Sequence, residues 1–298
     1  MRRIVLLLLA AALAVPQAFA WGEKGHYIVS EAATLSLPTD MPHFFYRSFP
    51  DLIWLGVDPD RWRGGGDSLE AAGQNHFLDY EYVAGLELPE SRYDFIALME
   101  SSGRLRRKGI RNDETGFLPW AIAEESQKLT VQFRLWRRSA AGSADRAIIE
   151  RAIINTAGVL GHYVADGSNP HHTTYNYNGW VDPNPNGYAI NCDTHSRFER
   201  DFVSHAVTVQ DVVKKVAAQP VMRTDFFATA LGHIKTSNGL VETLYRIDRD
   251  GGLSQLGPVN EEGFEFATSR LAAGATMLRD IWWSAWKESA KPPKRRGD

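Results

Sequence analysis

A single cysteine, Cys192, cannot form an internal disulfide, so oxidative cross-links do not hold this 298-residue chain together. Long apolar runs are also missing. Beyond the first twenty residues no stretch approaches the roughly 20 apolar residues of a membrane span, so no stable span is expected. Excess positive charge is absent: the formal balance of −3 moves to about −5 without Arg2 and Arg3, which recommends neither duplex DNA nor an anionic membrane as partner. There is no internal repeat, no Pro/Ser-rich linker and little period-two alternation of the strand type. What remains is an all-α fold, a single-domain multi-helix bundle over residues 21–290, with a flexible basic tail at 291–298.

The first twenty residues have a separate purpose. Arg2 and Arg3 precede an apolar run from Ile4 to Val15, and Ala18-Phe19-Ala20 is a small-x-small cleavage signature. Residues 1–20 therefore read as a signal peptide cut before Trp21, with a secreted or periplasmic product. Helical spacing recurs in three places: Leu118, Ile122, Leu129, Phe133 and Trp136 behind Pro119; the largely apolar 147–165; and Phe264 through Ala275 to Trp286. Two long stretches read as non-helical, 50–74 with Gly64-Gly65-Gly66, and 172–194, rich in Tyr, Asn, Pro and Gly. Loops of that length are usually functional or disordered, and ligand-type residues flank both.

The strongest local signal runs from Gly161 to His172. His162 and Asp166 stand four apart on a buried helix, and so share a face. Gly167 is placed to end the helix, and Pro170 to turn the chain so that His172 returns towards that face. Burying His and Asp is costly unless they are paired or bound to metal, so a hydrogen-bonded core pair is the plainer alternative. The device recurs: behind a cap at Asp193 or Thr194, His195 and Glu199 again stand at i and i+4. Trp21 would carry a free α-amine after cleavage, with His26 about one helical turn beyond, though an ordinary exposed terminus is the simpler reading. Asp60 and Arg63 could place a carboxylate and a cation on one turn, or form a surface ion pair. His76 could be a ligand or a core histidine. Asp58 rivals Asp60, which its spacing to Arg63 favours, and His171 rivals His172, which the six-residue step from Asp166 favours. His43, His205 and His233 have no place in the pattern, Cys192 suits structural burial, and Tyr175, Tyr177 and Trp180 suit either a substrate-stacking wall or loop packing.

Taken in order, Trp21, His26, Asp60, His76, His162-x-x-x-Asp166, His172 and His195-x-x-x-Glu199 resemble the superfamily of zinc-dependent phospholipase C and the single-strand-specific nucleases with 3′-nucleotidase activity. The resemblance implies the helical bundle of that superfamily and three Zn2+ per chain. It assigns Asp60, His76, His162 and Asp166 to one ion. Its close neighbour would take the Trp21 amine and carbonyl, His26 and a bridging Asp166; the third would take His172, His195 and Glu199. These donors suit zinc on chemical grounds as well. Three such ions against three carboxylates leave about +3 in the cleft, which wants an anion such as a phosphate ester. The resemblance makes Asp60 and Arg63 catalytic, Asp60 orienting water and Arg63 stabilising the transition state. The substrate would be a phospholipid head group or single-stranded nucleic acid or nucleotide, and no protein partner is implied. Branch markers conflict: the short Trp21–His26 spacing, the Asp60–Arg63 pair and the long 172–195 loop look like the nucleases. Glu199 is phospholipase-like, and the nucleases' Arg/Gly-rich loop and cysteines are missing. A non-catalytic, zinc-stabilised helical binding protein is the alternative.

Overall fold

The computed structural model describes residues 21–293, so the expected signal peptide at 1–20 and the last five residues of the expected tail lie outside the described residues. Among the described residues every regular element is helical, and the sole β pairing is an isolated bridge between Tyr177 and Gly179. The fold is all-α.

Helix α1 (Gly22–Leu35) opens the domain. The stretch expected to be irregular between Pro50 and Gln74 is instead a series of short helices: Phe49–Leu55, α2 (Asp58–Arg61), Asp67–Ala71 and a 3-10 turn over Ala72–His76. Pro50 and Pro59 sit in first-turn positions, where their missing N–H has no intrahelical acceptor to lose, so they start helices. Long helices α3 (Leu118–Arg138) and α4 (Ala144–Ser168) follow as a hairpin, Ser143 capping α4 by accepting from Arg146 N at 3.2 Å. The segment 174–193 is irregular, as expected. Then come α5 (Thr194–Ser196), which runs on as a π-helical turn over Arg197–Phe202, and α6 (Phe226–Asn238), α7 (Val241–Arg249) and α8 (Glu261–Glu288). Asp225 caps α6 and Asn260 caps α8.

Helix α4 is the axis of the domain. It packs against α1, α3, α6, α8 and Phe49–Leu55, which is why it is buried almost without break from Ile153 to Ser168. Its glycines permit close approach. A β-carbon at 158 would lie 2.3 Å from Leu55 Cβ. Gly167 does not end α4, contrary to its sequence expectation. It allows contact with α6, where a β-carbon would meet His233 Cδ2 at 3.0 Å. The helix stops one residue later, because Pro170 holds Asn169 in an extended conformation. In the core, Trp282 packs edge-on to Phe45 and donates its indole N–H to Ala157 O at 3.1 Å. Each fully buried side chain of this size contributes about 1.5–3 kcal/mol, the stabilisation that no disulfide supplies here. No described helix is long and apolar enough to cross a membrane. Of the basic tail, Lys291, Pro292 and Pro293 are described and exposed.

Candidate metal centre

The elements around α4 deliver their polar side chains to one place. His26 comes from α1, Asp60 from α2, His76 from the end of the 3-10 turn, and His162 with Asp166 from α4 itself. His172 comes from the 3-10 turn Pro170–Thr173, and His195 with Glu199 from α5 and its π-helical continuation. All eight are buried, and they fall into three groups whose candidate ligand atoms lie within 4.8 Å of one another: His26, Asp60 and His162; His76, His162 and Asp166; His172, His195 and Glu199. Asp60 thus groups with His26 and His162, at 3.9 and 3.8 Å, with His76 also at 3.8 Å, and His162 is shared, a somewhat different partition from the one the resemblance implies.

Asp166 is the hub. Its Oδ2 lies 3.2 Å from His76 Nδ1 and 3.3 Å from His162 Nε2, while Oδ1 lies 3.5 Å from His26 Nε2. In the other group Glu199 Oε2 is 2.7 Å from His195 Nε2 and 3.8 Å from His172 Nε2, with the two imidazole nitrogens 3.2 Å apart. Two backbone carbonyls fix ring tautomers. His162 Nδ1 lies 2.9 Å from Gly56 O, and His172 Nδ1 lies 2.7 Å from His76 O. A carbonyl only accepts, so each Nδ1 carries its hydrogen, and in the neutral ring each Nε2 turns a lone pair to the cluster.

Burial sets the protonation states. It pushes Asp60 up to about 7, against the pull of the Arg63 guanidinium, and Glu199 up to about 7. Asp166 is raised well above the usual carboxylate range, again by burial, with Asp60 adding repulsion. Burial likewise lowers His76, His162 and His172 and brings His195 down to about 3. Neutral imidazoles facing buried carboxylates could serve as metal ligands, and Asp166 Oδ1 and Glu199 Oε1 have no hydrogen-bond donor among the described residues. Buried acceptors without donors are costly, and cations among them remove that cost. The nitrogen and oxygen donors fit zinc.

Trp21 adjoins this centre. It is fully buried, its indole Nε1 donates to Ala165 O at 2.6 Å and to Ser168 Oγ at 3.2 Å, and its main-chain nitrogen is 2.9 Å from Glu199 Oε2. It is the single non-glycine residue with positive φ among those described. The rivals separate cleanly. Asp58 pairs with Arg61 on the surface at 3.1 Å, whereas Asp60 is buried in the cluster. His171 packs against His195, Phe198 and Tyr245 and belongs to none of the three groups. His233 is a core residue within 3.3 Å of Val164 O, and His43 and His205 are exposed. Cys192, expected to be buried, is exposed, because its loop lies on the surface.

No family model and no curated protein matches the chain. Among solved structures it is similar to the alpha-toxin of Clostridium perfringens isolated from avian strain SWCP, with 14% identity and a TM-score of 0.48. The match covers 93% of this chain and 66% of the toxin chain, just under two thirds of that protein's length. At that score the likeness bears no functional weight.

A cleft of about 640 Å³ opens over the cluster. His76, His171, His172 and His195 reach it from the floor, and Arg63, Phe77, Asp79, Tyr163 and Tyr177 from the walls. Arg63 Nη2 lies 3.2 Å from Asp60 Oδ1. Of the loop aromatics only Tyr177 is on the wall, its ring edge-on to His195; Tyr175 is bonded to Asp182, and Trp180 packs on Tyr188 and Tyr245. Asn169, fully buried and bonded to Glu199 at 3.0 Å, went unmarked by sequence reasoning although it sits between Asp166 and His172. Its signal was position: a polar side chain next to Pro170, on a segment with ligand-type residues on both sides.

Proposed function

We propose that this chain is an exported zinc-dependent phosphoesterase that hydrolyses phosphodiester bonds, of the phospholipase C or the single-strand nuclease kind. The observation that carries the reading is the clustering of three buried His/carboxylate groups, two of which reach one cleft through His76, His172 and His195, beside Arg63. Asp60, His76, His162 and Asp166 would hold one ion; His26, Asp166 and the Trp21 amine and carbonyl its neighbour; and His172, His195 and Glu199 the third. Zinc bound there supplies positive charge for a phosphate and acidifies water.

The protein groups do the remainder. Gly56 O and His76 O hold the His162 and His172 rings in the tautomer that ligates. The Arg63 side chain, 24% exposed at the cleft wall, can meet the phosphoryl oxygens as charge develops on them. Asp60 Oδ2 can accept a hydrogen from the attacking water and so orient it, while Arg63 keeps the carboxylate in place from the Oδ1 side. The apolar Trp62, Leu69 and Phe77 line the same cleft.

Metal analysis together with a substrate panel tests the reading. The chain beginning at Trp21 should hold close to three zinc ions and hydrolyse at least one of phosphatidylcholine, single-stranded DNA or RNA, or a 3′-nucleotide. Three ions without turnover on any of them would instead make it a zinc-stabilised binding protein. Absence of stoichiometric zinc would remove the centre altogether.

A further inference from the structure

Asn169 occupies the one residue step where α4 has ended and the turn carrying His172 has not begun. It is fully buried, and both ends of its amide are bonded. The His171 main-chain N–H lies 3.1 Å from one end; since that group only donates, the end is Oδ1. The opposite end is therefore the amide nitrogen, and it donates to Glu199 Oε2 at 3.0 Å. The same oxygen accepts from Trp21 N at 2.9 Å and stands 2.7 Å from His195 Nε2. Glu199 itself rides on the π-helical turn Arg197–Phe202, a backbone irregularity that occurs mostly at functional sites. A glutamate has three side-chain torsions to fix, and of the groups that meet Oε2 the Asn169 amide is the one that also holds the turn carrying His172.

We infer that Asn169 is a positioning residue for the third ion: its carbonyl holds the turn that carries His172 while its amide holds Glu199, so one side chain sets the spacing of two ligands. The inference rests on the zinc reading above. Partners that orient a ligand in this way are typically worth about 10- to 100-fold in metal affinity.

Asn169→Asp is the test, made in the full chain starting at Trp21 and read by zinc stoichiometry and chelator competition. The change is isosteric and keeps the acceptor for His171 N–H, but it replaces the donor facing Glu199 with an oxygen. One of three ions should bind about 10- to 100-fold more weakly and the other two within a few-fold of wild type. In a Glu199→Gln background the same substitution should add little further loss, which a merely structural residue would not reproduce. If Asn169→Asp does not fold, Asn169→Ala removes the donor without adding charge, and the same readouts apply. Three ions held with unchanged affinity in a folded variant would overturn the inference and leave the zinc reading standing. Parallel loss of all three ions with a lowered melting temperature would overturn it too. Wild-type protein that binds no zinc would overturn both.

Discussion

Asp166 reaches further into the cluster than any other side chain, with one oxygen towards His76 and His162 and the other towards His26. Glu199 serves a single group. Asp166→Asn should therefore weaken two ions where Glu199→Gln weakens one, and cost activity roughly 10-fold more or beyond; kcat/KM and bound zinc measured on both variants decide it, and the reverse order would undo the bridging assignment. Protonation gives a second expectation. With Asp60 and Glu199 near 7 and Asp166 raised, the metal-free centre holds protons that zinc must displace, whereas burial lowers the histidines, His195 to about 3. Zinc affinity should fall as pH drops from 8 to 6, by about 10-fold per unit for each proton displaced. Competition titrations across that range would show it; a flat profile would mean the carboxylates are already ionised without metal. At this scale the sequence was informative for residues whose type is unusual in a buried helix, such as His162 and Asp166. Spacing to Arg63 favours Asp60 over Asp58, but only packing tells which carboxylate turns inward. Asn169 escaped notice because an asparagine beside a proline is ordinary in any turn.

The helices themselves act on the site through their approach distances. Gly158 lets Phe49–Leu55 lie against α4, and just beyond that helix Gly56 offers the carbonyl that fixes the His162 ring. Gly158→Ala would place a methyl group 2.3 Å from Leu55 Cβ. Overpacking of this kind should lower stability by about 1–3 kcal/mol in denaturant unfolding, and the shifted Gly56 carbonyl should weaken zinc in the same variant. Stability loss with unchanged zinc affinity would separate the two effects. Helices α3, α4 and α8 were legible because their apolar positions repeat over many turns. The short helices around α2 were not. Four to seven residues carry too little periodicity to register, and Pro50 and Pro59 read as breakers until their first-turn positions are known.

On the scale of the molecule, the fold encloses its own proposed N-terminus. The bundle was visible from composition and helical repeats, but the burial of Trp21 beside Glu199 depends on contacts 178 residues apart, which no local pattern encodes. If cleavage before Trp21 creates an amine ligand, one extra residue ahead of it should remove that ligand. The neighbouring zinc and most activity should be lost while the His172, His195 and Glu199 group keeps its ion. Full activity in the extended chain would take Trp21 out of the centre. The anchoring of its indole to Ala165 and Ser168 also bears on timing. A peptidase needs several residues of accessible, extended backbone, and a residue sealed on all sides cannot present them. If residues 1–20 are a leader, it would have to be cut while α1 is still undocked, giving maturation a schedule in which processing precedes closure. Precursor refolded before it meets the peptidase should resist cleavage at this bond, and precursor held unfolded should be cut readily.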